Sequence, residues 1–266
     1  LIEAVEEFTV DGNFATHLLN TNQIAVITGH QHQGPQTRSQ FSQLAAMARE
    51  LQKSINRNIY DFYSQEPTTE ELETSWLPLL RWAAVEFERV DITTTNYDLV
   101  LESSLRQIQS LRVNTGSASE LLPRIDLNRW DSDEQSDSGL LTKLHGSVDW
   151  KIGNGGTADR PVIRYGLPEF EGDHDKRLIL YPGFKGRPDR QPFIAFHEYF
   201  RQHVNKATHL LFIGFAFRDD FINELIATSM SPSARVAVVD PVPTLPAGLS
   251  FLTRAKHFPQ GFGPVV

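Results

Sequence analysis

The chain has 266 residues, of which 40% are hydrophobic, so it can bury the core of one large domain. Its net charge of -8 predicts no general attraction to nucleic acid or to anionic membranes. No apolar run approaches the ~20 residues of a membrane span, which predicts a cytoplasmic protein, and the lack of cysteine excludes disulfides, thiol nucleophiles and thiolate zinc sites.

A strand predicted at residues 22–29 leads into a loop that imitates the spacing of a phosphate-binding loop. Pro35 and Gln36, however, stand where the phosphate-binding lysine and the serine or threonine belong. His30 and His32 have the spacing of half a metal site, but no cluster of acidic or histidine residues surrounds them. We interpret them as loop histidines, and no metal is expected.

Apolar side chains recur every three or four residues between positions 37 and 63, with Ile59 and Phe62 near the end of the series. This period predicts one long amphipathic helix or two consecutive ones, with the apolar face toward the core or toward another copy of the chain. A further helix is predicted over residues 76–87. Together they form a helical insert at about residues 36–87, whose aromatic side chains we assign to the core because no basic residues interleave with them.

Polar side chains follow two short runs that are rich in β-forming residues. Asn96 and Asp98 come directly after residues 91–95, and His145 follows a strand predicted over residues 140–144. Open α/β sheets bind their ligands at the carboxyl ends of parallel strands. The two motifs are therefore predicted to lie at one ligand site.

After the first motif, a helix is predicted through residues 105–111, and a polar region rich in serine and acidic residues follows at 113–139. The composition of that region predicts irregular structure. Short strands, with a turn at residues 153–156 between two of them, are predicted over residues 140–144, 148–152, 162–165 and 178–181.

The last third of the chain predicts a helix over residues 191–206, followed by a strand at 209–214, a helix at 220–228 and a strand at 236–240. This order is typical of a βαβ unit with parallel strands. The predicted fold class is α/β: a Rossmann-like, doubly wound parallel sheet with the helical insert and no zinc module.

Four blocks of the sequence, in their order along the chain, resemble the sirtuin family. They are the Thr-x-Asn-x-Asp pattern at Thr94, Asn96 and Asp98, the dipeptide His145-Gly146, the segment 210–219, and the segment 235–240. The resemblance covers roughly residues 88–245, and the four blocks together are far more specific than a single short motif. The amino-acid sequences of these blocks are most similar to those of prokaryotic sirtuin-like domains of antiphage defence, many of which hydrolyse NAD.

The resemblance implies a single sirtuin-like domain over residues 1–266, with a nucleotide-binding core at about 88–266. In the family, a strand and a glycine-rich loop that holds the pyrophosphate precede a helix such as the one predicted at residues 1–8. That loop is missing here, either because it lies upstream of Leu1 or because it was never present. Protein-deacylating sirtuins carry a four-cysteine zinc module, which this sequence cannot form, so deacylation is disfavoured.

The resemblance implies that Asn96, Asp98 and His145 are the catalytic residues. The amide of Asn96 can orient the ribose hydroxyls or an attacking water, and Asp98 can bind the carboxamide or ribose and offset positive charge. His145 can accept a proton from a hydroxyl or water near neutral pH. Taken alone, Asn96 and Asp98 after a strand are more typical of residues that cap a helix, and His145 of a hydrogen-bonded structural histidine. The four blocks together favour the site.

The residues expected to contact the nucleotide are Thr94, Gly146, Gly214, Phe215 and Asp240. Gly146 permits a close backbone approach, and Gly214 ends a strand, where backbone often contacts phosphate or ribose, although a tight turn explains it equally well. Asp240 either accepts a hydrogen bond from the adenosine ribose or is an ordinary turn residue. Arg218, Asp219 and Asp220 either belong to the site or form only a solvated helix start.

The favoured function is an NAD hydrolase that releases nicotinamide and ADP-ribose, with NAD as substrate. It is expected to be an effector module controlled by an additional domain or partner subunit, and to assemble as a homo-oligomer. The alternative is a module that senses NAD or ADP-ribose without turnover. A purely structural assembly domain would make the placement of Asn96, Asp98 and His145 accidental.

Overall fold

A computed structural model of the chain describes residues 46–47, 50, 54, 57–108, 110–111, 113–114, 124–125, 127, 139–152, 163–164, 177–180, 187–188, 190–241 and 248–259. Several predicted features lie outside these residues: the helix at 1–8, the strand at 22–29, the loop with His30 and His32, and the turn at 153–156.

The described residues form helices and short strands, with six strands in succession between residues 113 and 179. The helices are α1 (Thr69–Glu73), α2 (Trp76–Glu86), α3 (Val100–Arg106), α4 (Phe193–Lys206) and α5 (Asp220–Ser229), with a 3-10 helix at Ser250–Arg254. The strands are β1 (Ile92–Thr94), β2 (Val113–Asn114), β3 (Arg124–Ile125), β4 (Gly139–Lys143), β5 (Gly146–Ile152), β6 (Ile163–Arg164), β7 (Arg177–Ile179), β8 (His209–Ile213), β9 (Arg235–Val239) and β10 (Lys256–Phe258).

The described positions of the helix predicted over residues 37–63 are helical, and α2 confirms the helix predicted over 76–87. Ile59 and Tyr63 pack against buried residues of the domain, but Phe62 is 72% exposed and Trp82 on α2 is 49% exposed. The assignment of these two aromatic side chains to the core is wrong. Phe62 lies off the face that carries Ile59 and Tyr63, and Trp82 lies off the buried face of α2.

The helix after the first motif begins beyond Asp98, as predicted, but ends earlier than predicted. The Asp98 carboxylate accepts a hydrogen bond from the backbone amide of Val100 at 3.1 Å, so α3 starts directly after the motif. The prediction of a helix through residues 105–111 is wrong beyond Arg106. Ile108 and Leu111 lie outside α3 and are buried in a small core beneath α1 and α2, so packing decides their position.

The region at 113–139, predicted to be irregular, contains β2 and β3 and ends at the first residue of β4. β2 pairs in parallel with β4, and β3 pairs antiparallel with β6. Backbone amides and carbonyls form these ladders in any non-proline sequence, so a polar composition did not reveal them. The strands predicted between residues 140 and 181 are confirmed to within two residues at each end that the structure describes.

Within the described residues, the strands form three small sheets. Two are parallel, with the orders β1-β4-β2 and β10-β9-β8, and the third is antiparallel, with the order β3-β6-β5-β7. Helix α5 connects β8 to the parallel strand β9, which confirms the predicted βαβ unit. The fold is α/β; β10 and the 3-10 helix before it were not predicted.

The main core joins both parallel sheets through α4 and α5. Its almost fully buried side chains include Leu140 from β4, Phe196 from α4, Ile226 from α5 and Val238 from β9. Burying an apolar side chain of this size contributes about 1.5–3 kcal/mol. This core holds the strands whose carboxyl ends carry the polar motifs. No helix in the described parts of the chain has the length and apolarity needed to cross a membrane.

Candidate functional site at the carboxyl ends of β1, β4 and β8

The loop after β1 is joined to the turn after β4 through the backbone. The Leu144 amide donates to the Thr94 carbonyl at 2.9 Å, and the Val148 amide donates to the Tyr97 carbonyl at 3.0 Å. These bonds continue the parallel ladder in which Thr94 lies beside Lys143. The two polar motifs are therefore adjacent, as expected for the carboxyl ends of neighbouring parallel strands.

Lys143, at the end of β4, is a buried residue whose side chain bonds to both motifs. Its side chain is only 1% exposed, and its ammonium donates to the backbone carbonyl of Asp98 and, at 3.4 Å, to that of Tyr97. It also contacts the Glu102 carboxylate and the Ser147 hydroxyl, both at 3.0 Å. A buried ammonium is stable only when it is paired and hydrogen-bonded, and this one has partners on both motifs.

Glu102 supplies the counter-charge to this buried lysine. Burial raises the pKa of Glu102, an effect that the Lys143 ammonium opposes and the nearby Asp149 carboxylate reinforces. One carboxylate oxygen of Glu102 faces Lys143, and the other is buried without a hydrogen-bond partner. Sequence analysis missed this network, although a lysine inside the apolar strand Leu-Leu-Thr-Lys-Leu was a visible signal.

The turn that carries His145 is also fixed to β7. The Leu180 amide donates to the His145 carbonyl at 2.9 Å, and the Tyr97 hydroxyl donates to the Leu180 carbonyl. Gly146 has a φ of +83°, and a Cβ atom there would lie 1.9 Å from the carbonyl oxygen of Leu178. A side chain cannot be placed there without moving backbone, so glycine is required for the packing of the turn on β7.

His145 faces an acidic residue from the second parallel sheet. Its Nε2 lies 3.6 Å from Asp219 Oδ2, an ion-pair distance that is longer than a direct hydrogen bond. The two side chains are 21% and 18% exposed. Asp219 Oδ1 accepts from the Ile222 amide at 3.0 Å, which makes Asp219 the N-cap of α5. Its interpretation as merely a solvated helix start is therefore wrong.

The charge of Asp219 is stabilised where it faces His145. Burial acts to raise the pKa of Asp219, but the interactions with His145 and with the Ile222 amide outweigh it, so the pKa lies below its ordinary value. The positive end of α5 favours a carboxylate at this position as well. Asp219 is therefore an anion near neutral pH.

A second histidine, His197 on α4, lies near this pair. It is 5% exposed, and its Nδ1 is 2.8 Å from the Phe193 carbonyl oxygen. Burial lowers the pKa of His197, the Phe193 carbonyl opposes this, and the charges of His145 and Asp219 have smaller, opposite effects. His197 is therefore neutral near neutral pH, and sequence analysis did not single it out.

The structure places the three expected catalytic residues in different environments. Asn96 is exposed, with its backbone amide donating to Thr94 Oγ1 at 3.0 Å, so Thr94 shapes the loop that presents it. His145 is partly exposed in the neighbouring turn. One oxygen of Asp98 accepts from the Val100 amide at 3.1 Å, although the N-cap position of α3 is Leu99, which makes no side-chain cap.

The expected nucleotide-binding residues after β8 and β9 differ in accessibility. Gly214 has a φ of +59°, and a Cβ atom there would meet no heavy atom within 4 Å, so space above it is open. Its amide already donates to the Val239 carbonyl at 2.9 Å. Phe215 is partly buried and packs on Phe217 with ring centroids 4.8 Å apart, and Asp240 is buried at 6% exposure.

Among the residues that the structure describes, no group of three or more histidine, cysteine, aspartate or glutamate side chains is arranged to hold a metal ion. His30 and His32 lie outside those residues. The charged cluster at the site is instead built from the buried Lys143–Glu102 pair and the His145–Asp219 pair.

Comparison with curated proteins finds no significant match. Comparison with protein families finds that the family model of the SIR2-like domain matches residues 90–247. This span covers more than half of the chain and contains both polar motifs, the parallel strands β8 and β9, and Asp219. It agrees with the range of about 88–245 over which the four sequence blocks resemble sirtuins. The chain belongs to the SIR2-like family.

Proposed function

We propose that the protein is an NAD hydrolase that cleaves the bond between nicotinamide and ribose. SIR2-like domains are generally NAD-dependent enzymes, and the chain carries one over residues 90–247. The observation that supports this proposal most strongly is the adjacency of the exposed Asn96 loop and the partly exposed His145 turn, held together by Lys143. Precise relative placement of two polar groups is what catalysis at a sugar carbon requires.

In the proposed reaction, water attacks the anomeric carbon of the nicotinamide ribose while the carbon–nitrogen bond breaks. The bonding electron pair leaves with the pyridine ring, so nicotinamide departs as a neutral molecule and needs no acid. His145 takes the proton from the attacking water and returns it to solvent, and Asn96 orients that water or the ribose hydroxyls. Asp98, with one oxygen bonded to the Val100 amide, uses its remaining oxygen to offset positive charge on the ribose.

The adenosine half of NAD is proposed to lie over Gly214 and the carboxyl end of β9, near Phe215 and Asp240. The open space above Gly214 supports this, since a nucleotide can approach the backbone there. We also propose that both parallel sheets belong to one doubly wound sheet, because α4 packs against β4 and against α5. An experimental structure that leaves β1 and β8 in unconnected sheets would contradict this arrangement.

Hydrolysis is favoured over protein deacylation because the sequence has no cysteine for a zinc-supported peptide cleft. The proposed biological role is that of an effector in bacterial antiphage defence, assembled as a homo-oligomer and controlled by a further domain or partner. The wording of the motifs around Asn96, His145 and Gly214 supports this role through its similarity to prokaryotic defence domains.

The test is product analysis by chromatography. The activated, assembled protein, with any residues upstream of Leu1 included, is incubated with NAD in the presence and in the absence of an acylated peptide. The proposal predicts equal release of nicotinamide and ADP-ribose in both reactions. Release that depends on the peptide would indicate a deacylase, and tight binding of NAD without release would indicate a sensing module.

A further inference from the structure

We propose that Asp219 is a positioning residue that orients the His145 imidazole and stabilises its protonated form. Its effect on turnover rests on the proposed NAD hydrolysis, whereas its pairing with His145 does not. The two residues come from different parallel sheets, because His145 follows β4 and Asp219 follows β8. Their contact therefore joins the two halves of the candidate site.

The two carboxylate oxygens of Asp219 have separate tasks. Oδ1 accepts from the Ile222 amide at 3.0 Å, which fixes the carboxylate at the first turn of α5. Oδ2 is then directed at His145, 3.6 Å from Nε2. A carboxylate anchored through one oxygen loses little further conformational freedom when the other holds an imidazole, so it can fix the orientation of the ring.

His145 is anchored independently through its backbone. Its carbonyl accepts from the Leu180 amide at 2.9 Å, and the following Gly146 packs against the carbonyl of Leu178. With Nε2 toward Asp219, Nδ1 is the ring nitrogen left to face a water or a ribose hydroxyl. This division of the two nitrogens is the one that a general base needs, with one nitrogen held by a carboxylate and the other at the substrate.

The other titratable groups near Asp219 do not compete with His145 for its carboxylate. On α4, His197 is buried with Nδ1 at the Phe193 carbonyl, and its lowered pKa keeps it neutral near neutral pH. On α5, Asp220 is exposed at the first helical position, where it faces the solvent. When His145 takes a proton from water, the carboxylate 3.6 Å away offsets the new positive charge.

The variants Asp219→Asn and Asp219→Glu separate this role from helix capping. Asparagine is as good an N-cap as aspartate but carries no charge, whereas glutamate keeps the charge and caps poorly. Asp220→Asn is the matched control, since it removes one negative charge from the same helix terminus without contact to His145. Asp219→Ser, which also retains a capping oxygen, replaces the asparagine variant if that variant does not fold.

Two readouts are taken on each variant: the NMR chemical shifts of the His145 ring, assigned with His145→Gln, and the rate of nicotinamide release. In Asp219→Asn, we expect the His145 ring signals to shift, because the imidazole loses the carboxylate that lies 3.6 Å from its Nε2. The rate constant kcat should fall by roughly tenfold to a hundredfold with little change in KM, because in this proposal Asp219 acts through His145. Asp219→Glu should lose stability but retain more activity, and Asp220→Asn should match the wild type in both readouts.

His145 ring signals that are unchanged in Asp219→Asn, together with wild-type kcat, would overturn the assignment. If the wild type releases no nicotinamide, the proposed hydrolase fails, and the ring signals decide the pairing alone. Shifted His145 signals in that case would still support the contact, and unchanged ones would refute it.

Discussion

The loops that follow β1 and β4 are bonded to each other, whereas the loop that follows β8 has open space at its first residue. The first two are joined by backbone hydrogen bonds, packed on β7 and fastened by the buried ammonium of Lys143. The third, residues 214–219, begins at a glycine with open space above it and includes Phe217 at a φ of +53°. We call these the clamped region and the open loop.

The difference corresponds to two kinds of task. In the clamped region, small displacements of Asn96 or His145 would disturb groups that must act on one carbon atom, and such displacements are costly for catalysis. The open loop offers backbone and space to a nucleotide, which requires access more than rigidity. The His145–Asp219 contact, at 3.6 Å, connects the two regions.

The largest expected difference between the regions is the response of their glycines to alanine. Gly146→Ala places a Cβ atom 1.9 Å from a backbone oxygen at a φ of +83°, so backbone must shift. We expect a loss of about 3–5 kcal/mol in the free energy of unfolding, from left-handed strain and overpacking together. Gly214→Ala, at a φ of +59° with open space, is the matched control and should lose only about 1–2 kcal/mol. Equal losses in urea unfolding would remove the distinction.

A smaller loss in the free energy of unfolding is expected when the buried ammonium of Lys143 is removed from the clamped region. Lys143→Met keeps the volume of the side chain but leaves the Glu102 carboxylate without its counter-charge, which should cost about 2–4 kcal/mol. Arg235→Met, at the exposed start of β9, is the control and should stay within about 0.5 kcal/mol of the wild type. Adding Glu102→Gln to Lys143→Met should restore part of the loss. A wild-type unfolding midpoint for Lys143→Met would contradict the role of this lysine.

The third prediction concerns a large side chain placed in the open space at Gly214. It should have the smallest effect on the free energy of unfolding and a clear effect on nucleotide affinity. Gly214→Trp should cost about as much stability as Gly214→Ala, because its Cβ meets no neighbour. If the adenosine half of NAD lies there, affinity for the nucleotide should fall by roughly tenfold or more, or about 1.4 kcal/mol. Calorimetric titration with ADP-ribose measures this. Unchanged affinity in a folded variant would show that the adenosine binds elsewhere.

Much of the clamped region could be predicted from the sequence, because short-range patterns determine it. The β-rich runs before Asn96 and His145 predicted strands whose ends meet, and the parallel pairing of β1 with β4 follows from that order. The family could be predicted too, since four blocks in order are specific. Asn96 and Asp98 each had two interpretations, and the local bond from the Val100 amide to Asp98 could not be separated from a binding role by sequence alone.

The contacts that complete the site could not be predicted because they join distant residues. From sequence alone, Lys143 is an unexplained lysine in an apolar strand. Its partners Tyr97, Asp98 and Glu102 lie more than 40 residues away in sequence and come together with it only in the fold. The sequence around Asp219 is typical of a helix cap, and Asp219 does cap α5. The contact of its second oxygen with His145 is visible only in the folded structure. Ile108 and Leu111 were predicted to be helical but lie outside α3 for the same reason, because tertiary packing overrides the local pattern.

The measurement that tests the central claim most directly is the rate of nicotinamide and ADP-ribose release from NAD by the assembled protein and four variants. His145→Ala and Asn96→Ala should each lose roughly a hundredfold or more of the activity, because one removes the base and the other the positioning amide. His209→Ala and Asn205→Ala, exposed residues near the amino end of β8, are the matched controls and should keep wild-type rates. Release that is unaffected by either site substitution would show that the chemistry is carried out by other residues.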